Sequence, residues 1–122
     1  MTLVRLRHLG EGALRKWQPR LLLRDWQLTL LVKPEQEIQG SGGGPATVTL
    51  NRREMRATVY LNATWWAGKP DNIRDVDESV VHELLHCHLD DVTCNAKLRA
   101  AVEARDEFVI DRLTRVLVEA CA

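Results

Sequence analysis

Three absences narrow the reading before any motif is considered. The chain has no net charge, since Lys and Arg together number 17 and Asp and Glu together number 17. With no global field to draw it to nucleic acid or to an anionic membrane, neither is expected as a partner. The arginines at Arg5, Arg7, Arg15, Arg20 and Arg24 read as a solvated face that balances an acidic middle. No run approaches the ~20 apolar residues that a membrane-crossing helix needs. The N-terminal stretch, broken by Arg5, Arg7 and His8, has no signal-peptide core, so the expected compartment is the cytoplasm. Cysteine is scarce as well. Cys87, Cys94 and Cys121 are odd in number and form no CxxC pair, which excludes a disulfide framework and a four-cysteine zinc knuckle.

What is present fits one domain over residues 1–122. Apolar residues make up 45% and charged residues 28%, ordinary for a globular chain and too apolar for a disordered one. Leu3, Leu6, Ala13, Leu14 and Trp17 recur at near-helical spacing and predict an opening helix that ends before Pro19. Trp26, Leu28, Leu30 and Val32 alternate with Gln27, Thr29 and Leu31, the period of a half-buried strand, which Pro34 stops. Gly40 to Pro45 reads as a surface loop. Residues 47–51 and 56–63 alternate again, with Val48, Leu50, Val59 and Leu61 inward and Arg52, Arg53 and Glu54 at the turn of a hairpin.

Two more helices follow. From Asp75 to about Asp91 the apolar stripe is Val80, Val81, Leu84, Leu85, Leu89 and Val92, with Asp75 or Asp77 as the cap. From about Ala96 to Glu119 the expected core stripe is Leu98, Val102, Val109, Leu113, Val116 and Ala120. The fold class is therefore α+β: a small sheet of three strands or slightly more, packed against an N-terminal helix, a middle helix and a C-terminal helix.

The middle helix carries the chemistry. His82-Glu83-Leu84-Leu85-His86 is an HExxH motif in helical context. Four residues turn an α-helix by about 400°, so both imidazoles leave one face a turn apart and reach a common metal. Glu83 lies about 100° round, where its carboxylate addresses a metal-bound water as general base. On the motif alone, Ser79, His82, Glu83, His86 and Asp90 would equally suit the polar side of an amphipathic helix. Glu107 and Asp111, at i and i+4 on the next helix, change the balance. They share a stripe with Ala100 and Ala104, and a helix that turns near residues 93–95 and returns brings Glu107 to the depth of the histidines. That completes a His₂Glu site with one open position. Glu103 and Asp106 are the rival third ligands. His88, about 200° from His86, cannot share the metal, and Cys87 reads as a buried small hydrophobe.

HExxH followed on a later helix by Glu-x-x-x-Asp resembles the gluzincins, the thermolysin-like zinc peptidases, and the short chain resembles a minigluzincin of bacterial or phage type. The resemblance covers about residues 26–113 and implies a minimal zincin-like domain with Zn²⁺ as cofactor. It implies His82, His86 and Glu107 as ligands, Glu83 as general base, and Asp111 orienting His82. It further implies that the strand before the active helix, Arg56 to Ala63, is an edge for an extended peptide or protein substrate. Thr58, Tyr60 and Asn62 would then share a face, and Trp65 and Trp66 would wall a pocket. The oxyanion donors of full-length gluzincins have no counterpart in the sequence, which leaves Tyr60, His88 and His8 as chemical candidates. The alternative is a zinc-binding regulatory or protein-interaction domain with little or no catalysis.

Overall fold

The computed structural model describes residues 1–88 and 96–120, with the side chains of 96–103 left aside. Among the described residues the order is α1 (Leu3–Arg20), β1 (Gln27–Lys33), a 3₁₀ turn (Glu35–Glu37), β2 (Ala46–Asn51), β3 (Arg56–Asn62), α2 (Ala63–Trp66), α3 (Ile73–Leu85), a 3₁₀ turn (His86–His88) and α4 (Ala96–Ala120). This is an α+β fold with a three-stranded mixed sheet. No helix of the described residues is long and apolar enough to cross a membrane.

Strand order is β1-β3-β2, with β1 parallel and β2 antiparallel to β3. Register fixes the two faces. Leu28, Leu30 and Val32 stand beside Ala57, Val59 and Leu61, which stand beside Leu50, Val48 and Ala46. That apolar face meets α1 and α3, and Val59 and Leu61 are completely buried. Thr29, Thr58 and Thr49 line up on the other face, where Tyr60 also lies between Leu31 and Thr47. The topology corrects one expectation: the strand before the HExxH helix, expected at an edge, is the central strand. Both sides of β3 are paired, and among the described residues β1 and β2 are the edge strands.

Helix α1 buries Leu6, Leu9, Ala13 and Trp17 and leaves Leu3 exposed. It does not stop before Pro19. Pro19 removes the one bond its N–H would make to the carbonyl a turn back, but the chain stays helical to Arg20 and the Leu21 amide still reaches the Trp17 carbonyl at 2.9 Å. Gly10 is the point of closest approach to the sheet, where a Cβ would fall 2.6 Å from Leu61 Cδ1 and 3.0 Å from Leu30 Cδ2. Helix α3 is capped by Asn72, whose side-chain oxygen accepts from the amides of Arg74 and Asp75, so the expected aspartate caps are corrected. Asp77 is buried instead and pairs with Lys16 of α1 at 3.2 Å. Regular α geometry ends at Leu85, short of the expected Asp91; Leu89 and Val92 fall outside the described residues.

The stripe assigned to the C-terminal helix is also corrected. Ile110, Thr114 and Val118 face the core, whereas Val109, Leu113 and Val116 are exposed at 40%, 46% and 63%. Apolar periodicity chose the wrong side because the inward side is shared with the polar groups Glu107, Asp111 and Thr114. Ala104 is exposed and Leu98, Val102 and Ala100 lie outside the described side chains.

The two glycines of α1 should respond in opposite directions to added bulk. Gly10→Val, forced against buried Leu61, is expected to cost about 1–3 kcal/mol. Gly12→Ala, with nothing within 4 Å of its Cβ position, is expected to gain up to ~1 kcal/mol. Urea midpoints of the two variants check this, and a Gly10→Val protein as stable as the parent would refute the close approach.

Candidate metal centre

Two helices bring the site together. His82 sits in the last turn of α3, and His86 opens the 3₁₀ turn that follows. The His86 amide bonds to the Glu83 carbonyl three residues back, so the motif spans the point where the helix tightens. Contacts between α3 and α4 run in opposite sequence order: His86 and His82 meet Glu107, His82 meets Asp111, and Arg74 meets Glu119. The helices are therefore antiparallel, which returns Glu107 across a gap of twenty residues to the level of the histidines.

Glu107 bridges both rings. Its Oε1 lies 2.8 Å from His86 Nε2 and its Oε2 3.0 Å from His82 Nε2. The other ring nitrogen of His82 donates to Asp111 Oδ1 at 3.0 Å. The imidazole centroids are 5.4 Å apart. One donor atom from each of His82, His86 and Glu107 lies within 4.8 Å of the other two, so one ion could touch all three. Asp111 fixes the orientation of His82 and leaves Nε2 to face Glu107. Burial holds the His86 imidazolium below its ordinary range against the pull of the Glu107 carboxylate, favouring the neutral ring that binds metals.

Glu83 is buried although it carries a carboxyl group. Desolvation pushes its pKa up from 4.5 to about 7, with His82 opposing and Glu107 adding to the rise. A carboxyl that titrates near neutrality can both accept and return a proton at physiological pH.

These residues open on a cleft of about 1020 Å³, and its walls include β2, the loop at Gly40–Pro45, α3 and α4. Trp65 and Trp66 line it; Tyr60 and Asn62 do not. Tyr60 lies on the outer face of the sheet. Asn62 is buried and engaged, its oxygen accepting from the amides of Thr64 and Trp65 and its nitrogen donating to the Gly44 carbonyl. Trp66 is buried with its indole N–H on the Pro45 carbonyl at 3.0 Å, and Trp65 meets it edge to face at 4.7 Å. The rival ligand Asp106 pairs with Arg105, and Glu103 is outside the described side chains. His88 bonds to the Leu21 carbonyl, Cys87 is buried with its thiol pushed up to about 11 by desolvation, and Cys94 is outside the described residues. His8, His88 and Tyr60 are absent from the residues that line the cleft.

Two participants escaped sequence reading. Arg52 of the hairpin turn donates through Nη2 to the His86 carbonyl at 2.8 Å and lines the cleft. Thr114 lies one turn beyond Ile110, 4% exposed, with no hydrogen-bond partner for its hydroxyl among the described residues. A cation at a hairpin turn carries no sequence signal of a helix-end contact. The i, i+3 spacing from Asp111 to Thr114 was a signal for the second.

Compared with family models, curated proteins and solved structures, the chain matches none. The donor set must therefore be weighed by its chemistry. Two imidazoles and one carboxylate are the donor types that suit zinc and other borderline divalent ions, and one donor atom from each of the three residues lies within 4.8 Å of the others.

Burial of Glu83 predicts a pH slope in the metal-free chain. Its folded pKa lies above its unfolded value, so the stability it confers is complete below about 4.5 and is lost as pH rises through about 7. His86, shifted down, contributes a slope of opposite sign, so the quantity to read is the difference between the parent and Glu83→Gln. Denaturant midpoints of the parent should fall relative to that variant between pH 5 and 8. An unchanged difference across that range would remove burial of the carboxyl as the cause.

Proposed function

We propose that this chain is a zinc-dependent metallopeptidase. The observation that carries the reading is the meeting of His82, His86 and Glu107 in an open cleft, with Glu83 buried beside them. A zinc ion held by those three residues would supply Lewis-acid polarisation of a substrate carbonyl, which none of the side chains supplies alone.

The rest of the work belongs to the chain. Glu83 takes a proton from a water in the cleft and returns it to the departing amine, a cycle suited to a carboxyl titrating near 7. Asp111 holds the His82 ring through Nδ1 and so leaves Nε2 as the atom offered to an ion. Among the described residues strand β2 pairs only with β3, so its other edge has main-chain groups to offer, and Ala46, Thr47, Val48 and Leu50 line the cleft. An extended peptide or protein substrate adds to that edge by main-chain hydrogen bonds. The substrate edge proposed is thus β2 in place of Arg56 to Ala63. Trp65 forms part of the wall, with the Lys69 ammonium 4.4 Å over its ring.

Elemental analysis and a peptide-library assay test this together. The parent should carry about one zinc per chain, and Glu107→Ala, which removes the bridging carboxylate, much less. Glu83→Gln should keep zinc and lose about 10²-fold or more in turnover. A protein with zinc but no hydrolysis in either parent or Glu83→Gln would instead favour the regulatory-domain alternative, and absence of zinc from the parent would end both readings.

A further inference from the structure

The end of α3 is held by a residue from outside the helix. His86 follows the last residue of α3 and opens the 3₁₀ turn. Arg52 Nη2 donates to its carbonyl at 2.8 Å. Arg52 is the turn residue drawn inward, since Arg53, Glu54 and Met55 beside it are exposed. It also lines the cleft together with His86, Glu83 and β2. The contact falls where direction matters most. At His86 the backbone tightens from α to 3₁₀ winding, so the aim of its ring relative to His82 is set by local backbone conformation.

We propose that Arg52 is the positioning residue of the second ligand histidine: through the His86 carbonyl it fixes the tightened backbone that aims the His86 ring at the point shared with His82 and Glu107. The β2–β3 turn is thereby tied to the metal centre, so that the strand forming the cleft edge and the ligand opposite it move as one unit. This inference rests on the metal-centre reading and adds a residue to it. Arg52 itself touches neither metal nor substrate in this role. Methionine at the position keeps the apolar stem and loses the donor, lysine keeps a donor and the charge on a different geometry, and the exposed neighbour Arg53 is the control.

The test uses the full chain as parent, Arg52→Met, Arg52→Lys and Arg53→Met. Three quantities are measured: Zn²⁺ affinity against a chromogenic chelator, the visible spectrum with saturating Co²⁺, and the thermal midpoint of the metal-free protein. Arg52→Met should bind zinc about 10–100-fold more weakly and shift the cobalt bands, with a metal-free midpoint close to the parent's. Arg52→Lys should recover part of the affinity, and Arg53→Met should match the parent. Parent-like zinc affinity and cobalt bands in Arg52→Met would overturn the proposal. So would weaker binding accompanied by a lowered metal-free midpoint and unshifted bands, because that pattern marks a residue that only supports the fold. A parent that binds neither ion would overturn the metal-centre reading and this inference with it, whereas a parent that binds both with an unaffected variant overturns the inference alone.

Discussion

The Glu107 carboxylate lying across two imidazoles is the contact on which the arrangement of this protein turns. It links α3 to α4 at the level where both change character, from an apolar interface to a polar cleft. To place one carboxylate against two rings, α4 must return antiparallel with its phase set to within a fraction of a turn. That phase is held by Ile110, Thr114 and Val118, which share the inward side with Glu107 and Asp111. At the far end Arg74 meets both Glu78 and Glu119, a surface contact of small energetic value that still marks the same register. A half-turn rotation of α4 would turn Val109 and Leu113 inward, expose Ile110 and Val118, and take Glu107 away from both histidines. The fold keeps the exposed apolar stripe and the intact polar cluster.

Burial of Glu83 belongs to the same trade. A carboxyl group placed among Val80, Val81, Leu84 and Leu85 is costly to ionise, and nothing in packing alone calls for it. The shift upward and the neighbouring His82 together describe a group whose charge state is tuned by location, the pattern found at reactive centres. Asp77 shows what the structural use of a buried acid looks like in the same helix. It faces α1 and is paired with Lys16, whereas Glu83 faces the cleft.

Much of the architecture was legible in the sequence because it follows from period and punctuation. Alternation placed β1 and the hairpin within a residue, and the span of the C-terminal helix was read almost to its ends. The pairing of Glu107 with the histidines was legible too, because i, i+4 spacing and a returning helix are local geometry. Three things were not. Strand order depends on which edges meet, and Arg56–Asn62 gives no sign in sequence that both its edges are taken. The inward side of α4 was misread because periodicity ranks faces by apolarity, and here the inward face is partly polar. Tyr60 and Asn62 were grouped by alternation, but a strand end can redirect a side chain, and Asn62 turned to cap α2.

The small size of the chain makes its division of labour easier to see. One face of the sheet carries Thr29, Thr49 and Thr58 beside Leu31 and Tyr60, while the other brings Ala57, Val59 and Leu61 into the core with α1 and α3. Because α3 is anchored along its length by Val76, Val80, Val81 and Leu84, all completely buried, His82 and Glu83 stand on a platform that cannot shift without disturbing the core. His86 stands just past that platform, on backbone no longer α-helical, so its placement cannot come from the core by itself. It comes from groups reaching in from either side, Glu107 on the ring and Arg52 on the carbonyl. Of the three converging side chains, the one with the least support from its own helix is held at both ends.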